Sequence, residues 1–201
     1  MAPLLITLEE HYVSDHIRSK LSPSKDHYAS FPPPLVKKLQ NLDKTRIADM
    51  DAGGVNLQII SHGPLDAPLS DCSAANDELA SAIKANPKRL AGFAMLPMMN
   101  PQDACHELRR CVKEHGLVGA LINNHLNGTF YDSEDYWPVF ATAQELDVPI
   151  YIHPTFAADD MLDHYKGNFP EAAAKSMSIA VSGLICFSVP SKKGGGIGTV
   201  S

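Results

Sequence analysis

The stretch LAGFAMLPMMNPQDACHELRRCVKEHGLVGALIN, residues 90–123, decides the fold class. It begins and ends with aliphatic runs typical of buried strands, Leu90 to Leu96 and Leu117 to Asn123. Between them, Pro101 suits the first position of a helix, apolar residues recur at helical spacing, and Gly116 suits the end of that helix. A strand, a helix and a second strand in this order predict two parallel strands joined by a right-handed crossover.

The same alternation extends on both sides of this stretch. A helical segment opens at Ser70 or Asp71 and ends at Asn86-Pro87, and Ser133 caps another in which Trp137 is expected to face inward. Since the strand-like runs are apolar throughout, the sheet is expected to be covered on both faces, either open or closed as a barrel. The remaining strand-like runs are Leu4 to Leu8, Val55 to Ser61 and Pro149 to His153.

Two segments fall outside this alternation. The polar, proline-rich stretch from Ile17 to Pro34 predicts a long loop after the first strand, placed to cover a site. Residues 188–201, rich in glycine and lysine, are typical of a low-complexity tail. We therefore expect one incomplete α/β domain over residues 1–187, followed by a divergent tail over 188–201.

Composition excludes several classes of partner. The chain has 17 Lys and Arg against 23 Asp and Glu, a net charge of −6, so no basic surface for nucleic acid is expected. No apolar run reaches the roughly 18 residues of a membrane helix. The first residues lack the basic flank and apolar core of a signal peptide, and we expect a cytoplasmic protein without nucleic-acid or membrane partners.

A metal site is predicted at the carboxyl ends of two strands. In Glu9-Glu10-His11, strand periodicity places Glu9 and His11 on one side. About 140 residues later, the strand Pro149 to His153 ends in a histidine. One carboxylate and two imidazoles form the minimum protein set for a catalytic zinc, manganese or iron with open positions.

Other histidines also close predicted strands. His62 follows the second strand and His125 the fourth. Each can either touch a substrate or hydrogen-bond a neighbouring loop, and we favour the structural role. The sequence contains neither the Gly-x-Ser-x-Gly motif of serine hydrolases nor the Gly-x-Gly-x-x-Gly motif of dinucleotide-binding proteins.

Several of these motifs, in this order, resemble one enzyme family over Ile6 to about Gly183. The chain is similar to the amidohydrolase-related family that contains metal-dependent, nonoxidative decarboxylases of aromatic acids, including the resorcylate, dihydroxybenzoate and aminocarboxymuconate-semialdehyde decarboxylases. The motifs that carry the resemblance are Leu8-Glu9-Glu10-His11, Arg46-Ile47-Ala48-Asp49-Met50-Asp51, Pro87 to Phe93 with Leu96-Pro97, Gly119 to Asn123, Tyr136-Trp137-Pro138, and Pro149 to Pro154.

The resemblance implies a (β/α)8 TIM-type barrel, here partial, with about five or six of the usual eight units. It implies that Glu9, His11 and His153 bind a divalent metal, for which we predict zinc, with manganese as the alternative. Asn123 and Phe156 are implied to lie near the substrate, a small aromatic carboxylic acid, and a homo-oligomer is expected. The family's His-x-Gly-Glu motif and its acid-base aspartate are absent from the sequence, so no catalytic residue is assigned.

Three functions are compatible with these features. The first is nonoxidative decarboxylation of a hydroxylated aromatic acid. The second is an inactive, C-terminally truncated paralogue or isoform that acts only by association with another chain. The third is hydrolysis of an amide or lactone, because the same metal site can activate water.

Overall fold

The structure of the protein is a computed structural model that describes residues 4–21, 27–63, 65–155, 158, 161 and 185–187. Strands and helices alternate along the chain, which confirms the predicted α/β class. The strands are β1 (Ile6–Tyr12), β2 (Leu57–His62), β3 (Leu90–Gly92), β4 (Ala94–Met95), β5 (Ala120–Asn123), β6 (His125–Leu126), β7 (Thr129–Phe130), β8 (Ile150–His153) and β9 (Ile185–Phe187). The α-helices are α1 (Asp15–Lys20), α2 (Pro33–Leu39), α3 (Lys44–Ala52), α4 (Leu69–Ala85), α5 (Pro101–His115) and α6 (Trp137–Leu146).

The principal strands are parallel and lie in sequence order. β1 pairs with β2 and β2 with β3, while β4 pairs with β5 and β5 with β8. The single predicted strand from Leu90 to Leu96 is divided at Phe93 because it changes partner there. The amide of Phe93 donates to Ile60 (2.9 Å), whereas the next amide, of Ala94, donates to Gly119 (2.8 Å).

Three short strands accompany the principal strands. β9 pairs with β8 in the antiparallel direction, with Tyr151 opposite Cys186. β6 and β7 form a small antiparallel hairpin directly after β5. The outer edge of β8 therefore has backbone hydrogen-bond partners. The predicted tail, residues 188–201, lies outside the described residues.

The helix boundaries follow from local capping. The side chain of Asn100 accepts hydrogen bonds from the first turn of α5, and Gly116 ends that helix in the left-handed conformation at φ 69°. α4 ends immediately before Asn86, as predicted. No helix among the described residues is long and apolar enough to cross a lipid bilayer.

Two expectations outside the strands were wrong. The predicted loop from Ile17 to Pro34 includes the end of α1, a 3-10 turn at His27–Ser30 and the start of α2. Trp137 does not face inward but is 57% exposed. It stands at the first position of α6, and its indole N–H donates to the carbonyl of Asp132, so the ring lies along the surface.

Alternate residues of β5 and β8 pack on opposite faces of the sheet. Ala120, Ile122 and Ile150 pack against the helices that cover one face. On the opposite face, one side chain from each of four successive strand segments forms a small inner layer, made of Ile59, Phe93, Leu121 and Tyr151. Strand side chains that meet across four strands require a curved sheet, as in the interior of a barrel.

A buried charge network joins α4 to α5. Glu107 is 1% exposed and accepts hydrogen bonds from Ser73 (2.9 Å), Asn76 (2.7 Å) and both Nε and Nη2 of Arg110 (2.9 and 2.8 Å). Burial raises the pKa of Glu107, but these donors outweigh it and hold the pKa below its usual range. Asn76 also exchanges two hydrogen bonds with the backbone of Met95, which fixes β4 to the helices.

We expect Glu107→Ala to lower the free energy of unfolding by roughly 3 kcal/mol, because it removes the buried carboxylate that accepts from Ser73, Asn76 and Arg110 and joins α4 to α5. Urea unfolding followed by circular dichroism measures the change. Glu145→Ala removes an exposed ion pair with Arg109 on the adjacent helix and should leave the unfolding midpoint unchanged. Equal effects of the two substitutions would contradict the assigned role of Glu107.

Candidate metal centre

β1 presents two of the predicted ligands to the inner face of the sheet. The pairing of β1 with β2 shifts by one residue between Thr7 and Glu10, so Leu8 and Glu9 lie in an irregularity of the β-bulge kind. Bulges redirect side chains and are frequent beside functional sites. Beyond the bulge, regular pairing resumes, and His11 lies opposite Ser61 of β2. The sequence predicted a strand that ends near Leu8, but β1 continues to Tyr12. Glu9 and His11 therefore lie within the strand, close to its carboxyl end.

The third predicted ligand, His153, ends β8 and meets the other two. Glu9, His11 and His153 each offer one ligand atom, and these atoms lie within 4.8 Å of one another. Nε2 of His153 is 3.3 Å from Oε1 of Glu9, and the rings of His11 and His153 meet edge to face with centroids 5.1 Å apart. The fold therefore brings together residues that are separated by more than 140 positions in the chain.

The hydrogen bonds around the two imidazoles leave acceptor atoms facing the cluster. Nδ1 of His153 lies 2.6 Å from the carbonyl oxygen of Pro154, so Nδ1 carries the proton and Nε2 presents a lone pair. Nδ1 of His11 is occupied by the hydroxyl of Ser61 at 3.1 Å, which leaves Nε2 for a metal. Such outer contacts fix ring orientation in metal sites.

Burial favours the neutral form of His11. Burial first, and then the neighbouring His153, lower the pKa of His11 to about 4, while Glu9 acts in the opposite direction. The ring is consequently neutral at physiological pH, which is the form that binds metal ions. A carboxylate oxygen and two imidazole nitrogens that face one another form a donor set that suits a divalent metal.

Three residues that the sequence reasoning did not select hold the ligands in place. The hydroxyl of Tyr151 donates to Oε2 of Glu9 at 2.8 Å, and Arg46 donates to the backbone carbonyl of His11 at 2.8 Å. The third is Ser61. Tyr151 precedes His153 by two positions on one strand, so strand periodicity could have identified it. Ser61 and Arg46 could not be found this way, because register and helix packing place them.

The two residues expected near the substrate have different outcomes. Asn123 lies opposite His153 in the pairing of β5 with β8, and its side chain is buried at the same rim. Its amide nitrogen is 3.4 Å from a carboxylate oxygen of Asp66. Phe156 lies outside the described residues. His125 accepts a hydrogen bond from the backbone of Gly128, in keeping with the structural role favoured for it.

The segment after β1 reaches the same rim through Tyr28. A Cβ on Gly63 would overlap the hydroxyl of Tyr28, so the glycine gives the ring room to lie against the backbone at the end of β2. Gly63 is the second residue after Ser61, and Ser61 is the residue that contacts His11. A part of the stretch that the sequence suggested as a cover therefore touches the rim.

Comparison with known proteins identifies the family of the chain. The model of the amidohydrolase family matches residues 23–186. The chain belongs to the amidohydrolase family. This amidohydrolase chain is 40% identical over 174 residues to decarboxylase orsB of Emericella nidulans, which covers 85% of this chain and 53% of that protein. It is 37% identical over 166 residues to gamma-resorcylate decarboxylase of Polaromonas sp., covering 74% of this chain and 49% of the relative.

The chain is also similar to a solved structure of a decarboxylase. The dihydroxybenzoic acid decarboxylase of Polaromonas sp. JS666, with bound manganese and the inhibitor 2-nitroresorcinol, superposes with a TM-score of 0.71 at 32% identity. The match covers 90% of this chain and 59% of that structure. The chain thus spans about half the length of the curated relatives it matches.

We expect Gly63→Ala to destabilise the protein by about 1–3 kcal/mol, since the new methyl group overlaps Tyr28. The cost should fall in a Tyr28→Ala background, which vacates the space. A double-mutant cycle by urea unfolding measures the coupling between the two positions. The same cost of Gly63→Ala in both backgrounds would show that the ring does not occupy this place.

Proposed function

We propose that the protein is a metal-dependent, nonoxidative decarboxylase of a hydroxylated aromatic acid. The observation that carries the proposal is the convergence of Glu9, His11 and His153, with their acceptor atoms within 4.8 Å of one another. It is supported by relatives named as decarboxylases, including gamma-resorcylate decarboxylase at 37% identity. A carboxy-lyase is the proposed enzyme class.

Glu9, His11 and His153 would hold the divalent metal. When bound, such a metal supplies positive charge for the carboxylate and adjacent hydroxyl of an aromatic acid. Zinc suits the one-oxygen, two-nitrogen donor set, and the manganese bound in the related decarboxylase structure supports manganese as the alternative.

The protein's own residues prepare the site for an aromatic ring. Tyr151 stacks on Phe93 with ring centroids 5.8 Å apart, and its hydroxyl donates a hydrogen bond to Glu9. Two buried aromatic rings therefore adjoin the proposed ligands. An aromatic wall beside a charged centre would favour a ligand with an apolar ring and an anionic group. Asn123, at the rim beside His153, is proposed to bind the substrate, as is Phe156.

We further propose that residues 1–187 form the first five or six units of a TIM-type barrel. The parallel strands in sequence order and the inner layer of Ile59, Phe93, Leu121 and Tyr151 support this assignment. The low-complexity tail, the cytoplasmic location and the homo-oligomer stay predictions.

The proposal is tested by metal content and carbon dioxide release. We expect the purified chain to bind about one Mn²⁺ or Zn²⁺ per Glu-His-His set and to release carbon dioxide from dihydroxybenzoates. Chelator treatment should abolish release and added metal should restore it. His153→Ala, with His106→Ala on the outer helix α5 as the matched control, should lose the metal. A metal-free protein, or hydrolysis of amides and lactones without decarboxylation, would contradict the proposal.

We expect Tyr151→Phe to weaken metal affinity about 10-fold, because it removes the hydroxyl that orients Glu9. Tyr131→Phe is the matched control. The hydroxyl of Tyr131 is buried and has no hydrogen-bond partner among the described residues, so its loss should leave metal affinity unchanged. Competition with a fluorescent chelator measures both affinities. An unchanged affinity in Tyr151→Phe would show that Glu9 does not depend on this contact.

A further inference from the structure

Two buried hydrogen-bond acceptors at the rim have no partner. His62 is 3% exposed and Asn123 is 8% exposed. Within the part of the chain that the structure describes, neither Nε2 of His62 nor Oδ1 of Asn123 has a hydrogen-bond partner. Leaving a buried polar atom unpaired is unfavourable, so two such atoms at one place point to a hydrogen-bond donor that binds there.

Both atoms require a hydrogen-bond donor. Nδ1 of His62 lies 2.7 Å from the carbonyl oxygen of Gly63, which can only accept, so the proton is on Nδ1 and Nε2 has a lone pair. Burial lowers the pKa of His62 to about 4, although the Gly63 carbonyl acts in the opposite direction, and the ring is neutral at physiological pH. The amide nitrogen of Asn123 faces Asp66, which leaves its oxygen as the unpaired atom.

His62 and Asn123 line the same narrow cavity. His62, Asp66, Leu121 and Asn123 are among its lining residues, and its volume, about 10 Å³, has room for a single oxygen-sized group. Asn123 lies opposite His153 in the pairing of β5 with β8, whereas the ring of His62 packs edge to face against Tyr12 with centroids 5.2 Å apart. The cavity therefore adjoins the rim through Asn123, on the strand that neighbours β8.

We propose that this cavity recognises a ring hydroxyl of the aromatic acid, which donates its hydrogen bond to Nε2 of His62. The inference rests on the proposed function and adds a residue that determines specificity. The imidazole nitrogen of His62 is a stronger hydrogen-bond acceptor than the amide oxygen of Asn123. Asn123 lines the same cavity and offers a second acceptor. A water molecule could supply the same O–H donor, and the experiment distinguishes the two sources.

The ligand arm of the test needs no variant. Full chain loaded with Mn²⁺ is titrated by calorimetry with salicylate, with the dihydroxybenzoate isomers, and with analogues in which fluorine replaces the second hydroxyl. We expect at least one dihydroxybenzoate to bind about 5- to 10-fold more tightly than salicylate, the range of one hydrogen bond to a buried acceptor. Its fluoro analogue should lose this advantage, because fluorine cannot donate.

The protein arm uses two matched variants of one residue. His62→Asn keeps a polar atom near the Nδ1 position and removes the acceptor at Nε2, whereas His62→Gln restores an acceptor near that position. We expect the preference for the second hydroxyl to disappear in His62→Asn and to persist in His62→Gln. Thermal unfolding midpoints of the two variants, compared with the unsubstituted protein, control for folding.

The outcomes separate this inference from the function on which it rests. Salicylate, dihydroxybenzoates and fluoro analogues that bind equally well would assign the cavity to a water molecule and overturn the inference alone. A preference that persists in a folded His62→Asn would also overturn it, because another residue would then recognise the hydroxyl. Failure of every aromatic acid to bind the metal-loaded protein would overturn the proposed function itself.

Discussion

The hydrogen bond from Tyr151 to Glu9 joins the last principal strand to the first, and the geometry of the rim depends on it. It can form only because the sheet curves until side chains of β8 reach those of β1. The small inner layer, in which Tyr151 stacks on Phe93 and packs with Leu121, occupies the concave face. The same tyrosine thus belongs to the apolar layer and to the polar cluster, so curvature and ligand geometry are coupled.

The rim has an unusual excess of acceptors. Outer groups already occupy the Nδ1 atoms of His11, His153 and His62, and Asn123 directs its amide nitrogen towards Asp66. What remains at the cluster is a carboxylate and two imidazole nitrogens, and in the adjoining cavity an imidazole nitrogen and an amide oxygen. Such a set is satisfied by a cation at one place and by O–H donors at another. The proposed substrate, an aromatic acid with ring hydroxyls, carries donors of this kind.

The elements built by local chemistry could be predicted closely. Asn100 and Gly116 bound a helix because their side-chain and backbone preferences act within one turn. Tertiary pairing overrode local pattern elsewhere. The strand predicted from Leu90 to Leu96 divides at Phe93, where its backbone leaves β2 for β5. Trp137 has the hydrophobicity of a core residue, yet its position at the start of α6 places it on the surface.

By itself, the sequence determined the alternating α/β order and the candidate ligands Glu9, His11 and His153, because strand periodicity and residue chemistry are local properties. Only the tertiary structure decided that these ligands meet, and that Tyr151 supports them. Those contacts depend on sheet curvature and strand register, which arise from packing among residues far apart in the chain. The unpaired acceptor of His62 is of the same kind, since an atom lacks a partner only in relation to everything folded around it.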